Sequence, residues 1–126
     1  MKRKSTGVLA IQPRLRIRVG EDIALGPGKA ELLELVQRTG SITEAAKQMG
    51  MSYMRAWKLI QTMNQCFKGE LVLANRGGKR GGGATVTEFG RKALRLYQQM
   101  ERDSLSGCEG SWKKLRQLLQ SQVVMK

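Results

Sequence analysis

The chain has 126 residues, 40% of them apolar, and carries 23 Lys plus Arg against 10 Asp plus Glu, with no His and a formal charge of +13. Its length and apolar fraction suit one domain with one core, and its charge suits a polyanion bound through counterion release. Without His, a metal-ligand cluster or a nucleophile beside a plausible base, it does not read as an enzyme, and no cofactor or metal is expected.

Residues 1–14 form a basic arm without an acid. They fail as a signal peptide, because KRK is followed only by the short GVLAI before Gln12 and Pro13, and no later apolar run approaches the roughly 20 residues of a spanning helix. A cytoplasmic protein with no membrane contact is the simplest reading. LRIRV, residues 15–19, alternates, so a short edge strand is expected with Leu15, Ile17 and Val19 inward and Arg16 and Arg18 outward. Gly26, Pro27 and Gly28 mark a loop. Lys29 to Thr39 then reads as an amphipathic helix with Leu32, Leu33, Leu35 and Val36 in the core and Gly40 as its stop.

GSITEAAKQMGMSYMRAWKLI, residues 40–60, spells two short helices around a tight glycine turn. Ser41 and Glu44 have capping-box spacing, so the first helix should start at Ile42, with each side chain satisfying a free backbone N–H. Gly50 sits where a left-handed residue must end that helix, Met51 can plug the turn from below, and Ser52 is placed to cap the next helix. Ordinary helical hairpins share these features. The second helix, from about Tyr53 to Phe67, weighs for DNA: Ala56, Leu59, Ile60, Met63 and Phe67 make one stripe, leaving Tyr53, Met54, Arg55, Lys58, Gln61 and Gln65 on the remaining surface. Such a helix fits a major groove, where Ser52, Tyr53, Met54, Arg55 and Lys58 would be the contacting residues. Trp57 lies beside the apolar stripe, and both packing and contact with a sugar-phosphate edge are open to it.

LVL at 71–73 and ATV at 84–86 flank the glycine-rich tip NRGGKRGGG, residues 75–83, and together read as a β-hairpin. A P-loop is excluded: Arg80 follows Lys79 where Ser or Thr is needed, and Leu73 stands where the first glycine belongs. A flexible wing whose Arg76, Lys79 and Arg80 reach phosphates or a minor groove accounts better for it than a merely solvated loop. Thr87 can cap a helix over EFGRKALRLYQQMERDS, with Phe89, Ala93, Leu96, Tyr97 and Met100 apolar, and this long helix suits dimerisation. Gly107 and Gly110 are expected to break the chain before a final helix over residues 112–126. Cys66 and Cys108 have neither CxxC spacing nor a His partner, which leaves them as buried or idle thiols. Met49, Met51, Met63 and Met100 fall where a helical core needs filling rather than where a metal would be sensed.

GSITEAAKQMGMSYMRAWKLIQTMNQ followed by LVLANRGGKRGGGATVTEFGRKALRLY resembles the N-terminal winged helix-turn-helix domain of ModE-type molybdenum-responsive transcription regulators, and more distantly LysR-type DNA-binding domains. The likeness covers about residues 15–104. Its specific parts are SY and AW in the second helix of the pair, MNQ at 63–65, the GGKRGGGA wing and TEFG leading into the long helix. The resemblance implies a mainly α protein with a β-hairpin wing, groove-facing Ser52, Tyr53, Arg55 and Lys58, wing contacts from Arg76, Lys79 and Arg80, and a twofold dimer. It also implies control of molybdate uptake and molybdoenzyme genes. The 126 residues leave no room for the C-terminal molybdate-binding region of full-length members, so no small-molecule effector is expected here.

The expected organisation is therefore a basic arm at 1–14, a winged helix-turn-helix domain with its dimerisation helix at 15–104, and a C-terminal helix at 105–126. The expected function is sequence-specific binding of double-stranded DNA by a homodimer on a pseudo-palindromic site, to regulate transcription. A sequence-indifferent nucleoid or RNA-binding protein would share the charge but has no use for a capped, tight-turned helix pair. An adaptor whose basic face binds an acidic protein is a third reading.

Overall fold

A computed structural model describes residues 9–75 and 83–120. The elements are β1 (Ile17–Val19), β2 (Asp22–Leu25), α1 (Pro27–Thr39), α2 (Ile42–Met49), α3 (Tyr53–Cys66), β3 (Val72–Asn75), β4 (Gly83–Val86) and α4 (Glu88–Arg116). They form a mainly helical winged helix-turn-helix. One compact unit is Arg14–Gln99, and a second gathers the described residues up to Pro13 with those from Met100 onward.

The core lies in the first unit. Leu32, Leu33 and Val36 of α1, Ile42 and Ala45 of α2, and Ala56, Ile60 and Met63 of α3 are completely buried, and Leu71, Val72, Ala84, Val86, Leu94 and Tyr97 close over them. The apolar periodicity of the three helices dictates this arrangement, since each has one stripe and the stripes can be hidden only against one another.

The strand expected over 15–19 is shorter and has a partner that alternation did not reveal. β1 pairs antiparallel with β2 through a two-residue turn in which Gly20 is left-handed (φ 62°). Leu15 and Ile17 rest half-buried on the core, whereas Val19 is 48% exposed, because it stands at the tip of the hairpin rather than facing inward. Helix α1 also starts two residues before Lys29. Gly26 is extended and Pro27 occupies the first helical turn, where a missing N–H costs nothing. As expected, Gly40 ends α1 in the left-handed region (φ 71°), donating its N–H to the Val36 carbonyl.

β3 and β4 pair in register from Val72 opposite Val86 to Asn75 opposite Gly83, one or two residues closer to the tip than the LVL and ATV segments suggested. Thr87 then starts α4 as its sequence position implies: Oγ1 accepts from the Gly90 N–H at 2.9 Å. The same hydroxyl donates to the Glu70 carbonyl at 2.7 Å. On α4 the buried positions are Gly90, Leu94 and Tyr97, and the Tyr97 hydroxyl donates to the Leu15 carbonyl at 2.8 Å. Ala93 is half-buried, while Phe89, Leu96 and Met100, all expected as apolar positions, are exposed.

The break expected at Gly107 and Gly110 does not occur. α4 runs unbroken for 29 residues through both glycines to Arg116, so no separate helix begins at Trp112. Glycine weakens a helix interior by about 1 kcal/mol relative to alanine, which neighbouring helix formers offset; it does not forbid the conformation. Apart from the helix's own neighbouring backbone, no heavy atom of the described residues lies within 4 Å of where a Cβ would stand at either glycine. Gly107→Ala is accordingly expected to stabilise α4 by about 0.5–1 kcal/mol, seen as a raised helical melting temperature by circular dichroism. An unchanged or lowered melting point would mean that the residue 107 backbone is not helical in solution. Among the described residues no helix is long and apolar enough to cross a membrane.

Candidate nucleic-acid interface

The helix pair is built by local backbone bonds that its sequence encodes. Ser41 is extended, and its Oγ accepts from the Glu44 N–H at 3.0 Å. The reciprocal half of the expected capping box is absent. The Ser41 N–H goes instead to Thr39 Oγ1 at 3.2 Å, a hydroxyl that itself donates to the Leu35 carbonyl at 2.7 Å, and the freed Glu44 carboxylate meets Lys47 Nζ at 3.6 Å. Thr39 satisfies the donor first because it lies on the preceding helix turn, held by its own bond.

The turn between α2 and α3 closes with Gly50 left-handed (φ 70°), its N–H reaching the Lys47 carbonyl at 3.0 Å while the Met51 N–H reaches the Ala46 carbonyl at 3.0 Å. This paired ending fixes the angle at which α3 departs. Met51 rests half-buried on the core, as a plug for that turn should. Ser52, extended, caps α3 by accepting from the Arg55 N–H at 3.1 Å. The cap uses a lone pair of the hydroxyl and leaves its proton free to donate.

Beyond that cap, Ala56, Ile60 and Met63 face inward, with Trp57, Leu59 and Phe67 half-buried against the core. For Trp57, packing is therefore the role observed. Ser52, Tyr53, Met54, Arg55, Lys58, Gln61 and Gln65 are all exposed, and Met54 reaches 57%. The structure thus gathers the expected α3 residues on the free surface at the start of one helix. A large thioether and a phenol beside two cations, left open at a helix start, give a surface that can offer apolar contact and hydrogen-bond donors together.

The wing stands beside this helix pair through main-chain bonds. The Ala84 N–H donates to the Gly40 carbonyl at 3.0 Å, and Ser41 and Gly83 form an isolated antiparallel bridge. Arg76, Lys79 and Arg80 lie outside the described residues. A second tie was missed from sequence. Asn64 of α3 accepts at Oδ1 from the N–H groups of Leu71 (2.8 Å) and Val72 (3.3 Å), and its Nδ2 donates to the Val72 carbonyl at 3.0 Å. The available signal was a poor helix former placed in the last turn of a helix, a few residues before a strand.

Cys66 is half-buried and Cys108 exposed, both as free thiols. Partial burial pushes the Lys29 ammonium below its ordinary pKa, with Cys66 and Asp22 acting in the opposite sense; Lys29 belongs to α1 and is not part of the α3 surface.

With this geometry in place, the relatives become informative. The model of bacterial regulatory helix-turn-helix proteins of the lysR family matches residues 28–91, from α1 through the start of α4. The chain belongs to that family, a class of DNA-binding transcription regulators rather than enzymes. It is 38% identical over 88 residues to the molybdenum transport protein ModE of Azotobacter vinelandii, covering 70% of this chain and 33% of that protein. To the DNA-binding transcriptional dual regulator ModE of Escherichia coli (strain K12) it is 37% identical over 83 residues, covering 66% and 32%. To the molybdenum-pterin-binding protein MopB of Rhodobacter capsulatus it is 42% identical over 77 residues, covering 61% and 28%. The chain thus matches about a third of the length of these relatives. Full-length CbnR, solved with its target DNA, shares the fold at a TM-score of 0.50 and 18% identity, over 69% of this chain and 28% of that one.

Proposed function

We propose that this protein binds a specific double-stranded DNA sequence as a homodimer and regulates molybdate-related genes. The observation that carries the reading is the α3 surface. Arg55 and Lys58 stand exposed in the first turns of a helix whose start is fixed by Ser52 and Gly50, and they form no ion pair among the described residues. Guanidinium and ammonium groups so presented can donate to guanine edges, and Ser52 and Tyr53 can serve bases or phosphates. By sequence, Arg76, Lys79 and Arg80 of the wing would add contacts to the backbone or minor groove.

The dimer is supported by α4, where Phe89, Leu96 and Met100 recur at spacings of seven and four and remain exposed, Leu96 at 57%. Such a seam gains stability from a second helix. Two copies of α3 would then enter successive major grooves of a pseudo-palindromic site about one helical turn apart. The molybdate-related target genes rest on the names of the relatives alone.

Fluorescence anisotropy against duplexes selected from genomic DNA, compared with random duplex over a salt series, tests the reading. A selected palindrome is expected to bind at least about a thousandfold more tightly than random duplex at physiological salt. Arg55→Ala is expected to cost about 1–3 kcal/mol on that site and to relax base preference, whereas Lys79→Ala should weaken binding to all sequences alike. Equal affinity for selected and random duplex would replace the regulator with a phosphate clamp of the nucleoid type.

A further inference from the structure

α1 and α4 flank an open cleft of about 470 Å³, lined by no residue of α3, whose lining includes Arg38, Arg91 and Arg95. The lining holds these three guanidiniums and one carboxylate, that of Glu34, whose Oε2 already accepts from Gln98 Nε2 at 2.6 Å. Arg38 and Arg95 make no ion pair among the described residues. Arg91 is anchored differently: Nη1 donates to the Val86 carbonyl at 3.0 Å and Nη2 pairs with Glu88, which leaves further N–H donors on the same planar group. Arg91 and Arg95 are one turn apart on α4, so the two guanidiniums lie on the same face of that helix.

We infer that this cleft is a binding site for a phosphate-class oxyanion, with Arg38, Arg91 and Arg95 as its donors. A guanidinium matches the oxygen spacing of phosphate with two parallel N–H groups, so one fixed arginine flanked by two unpaired ones favours this class of ligand. The volume holds such an anion with some of its water. Two sources share that chemistry. One is a free oxyanion. The other is a backbone phosphate of bound DNA, because the cleft borders the root of the wing: Arg38 lies two residues before Gly40, which bonds Ala84 of β4, and Arg91 is bonded to the last residue of β4. The DNA source rests on the function proposed above; the anion site itself does not.

The test uses the full chain and a double variant, Arg38→Gln with Arg95→Gln, both exposed side chains whose loss leaves the core untouched. Inorganic phosphate is titrated at fixed ionic strength while backbone amide resonances are followed. Saturable shifts centred on Arg38, Arg91 and Arg95, lost in the double variant, are the expected result. In parallel, the salt dependence of DNA affinity is measured for both proteins. If the variant lowers the slope of log K against log salt by about one or two and leaves base preference intact, the occupant is a DNA phosphate. If phosphate binds and the slope is unchanged, the occupant is a free oxyanion. Absence of saturable shifts together with an unchanged slope overturns the site. Should the unaltered protein show no sequence-specific DNA binding, the proposed function fails while the phosphate titration still decides the cleft.

Discussion

Gly90→Ala is expected to destabilise the protein by about 3 kcal/mol, at the upper end of what overpacking costs. A Cβ at this position would stand 2.3 Å from the Leu71 carbonyl oxygen and 2.9 Å from Val86 Cγ1. The carbonyl cannot retreat easily, because it also accepts from the Thr87 N–H at 2.9 Å. The extra methyl must therefore push the first turn of α4 off the root of the wing. Denaturant unfolding followed by circular dichroism reads the loss directly. A shift below about 0.5 kcal/mol would mean that α4 and Leu71, the residue before β3, separate at no cost, and that the close approach is not kept in solution. Gly107→Ala, with its opposite sign, serves as the internal control for the effect of helix propensity alone.

Asn64→Ala has the second large effect, about 2–3 kcal/mol. One side chain satisfies two main-chain N–H groups and one carbonyl around Leu71 and Val72, and those two residues are buried. Removing it strands polar groups that water reaches poorly, so the cost exceeds that of an ordinary surface amide. Amide hydrogen exchange should speed up selectively at Leu71 and Val72. Uniform acceleration over the whole of α1 to α4 would instead show that Asn64 serves global stability and has no particular hold on the wing.

Much of this arrangement was legible in the chain because it is written in local chemistry. Ser41, Gly50, Ser52 and Thr87 each make their helix-ending or capping bond within three or four residues, and each takes the role that its type and position imply. The stripes of α1 and α3 were legible for the same reason: periodicity is a local property. What escaped was decided by contacts between distant segments. β2 has no strong alternation, and only pairing with β1 makes it a strand. Leu94 rather than Leu96 is buried on α4 because the placement of Tyr97 and Gly90 sets the rotation of that helix. Asn64 stands out in the chain only as a poor helix former near a helix end, and its partners appear once β3 is beside it. Gly107 and Gly110 differ in the opposite direction: their weak local preference against helix is outweighed by the helix formers around them in α4. Of the residues expected to touch DNA, those on α3 stand where the stripe left them, and Arg76, Lys79 and Arg80 fall outside the described residues.

The wing is fastened at two separate places, to Gly40 and Ser41 at the head of α2 and to Asn64 near the end of α3. Two anchors on different elements leave the root of the wing, at β3 and β4, little freedom to swing about either one. The distance between the wing root and α3 then behaves as a fixed gauge. If a duplex lies across both, this spacing resists widening to suit a groove of another width, so the DNA supplies the adjustment. Sequences that bend or narrow cheaply would be favoured at base pairs no side chain touches.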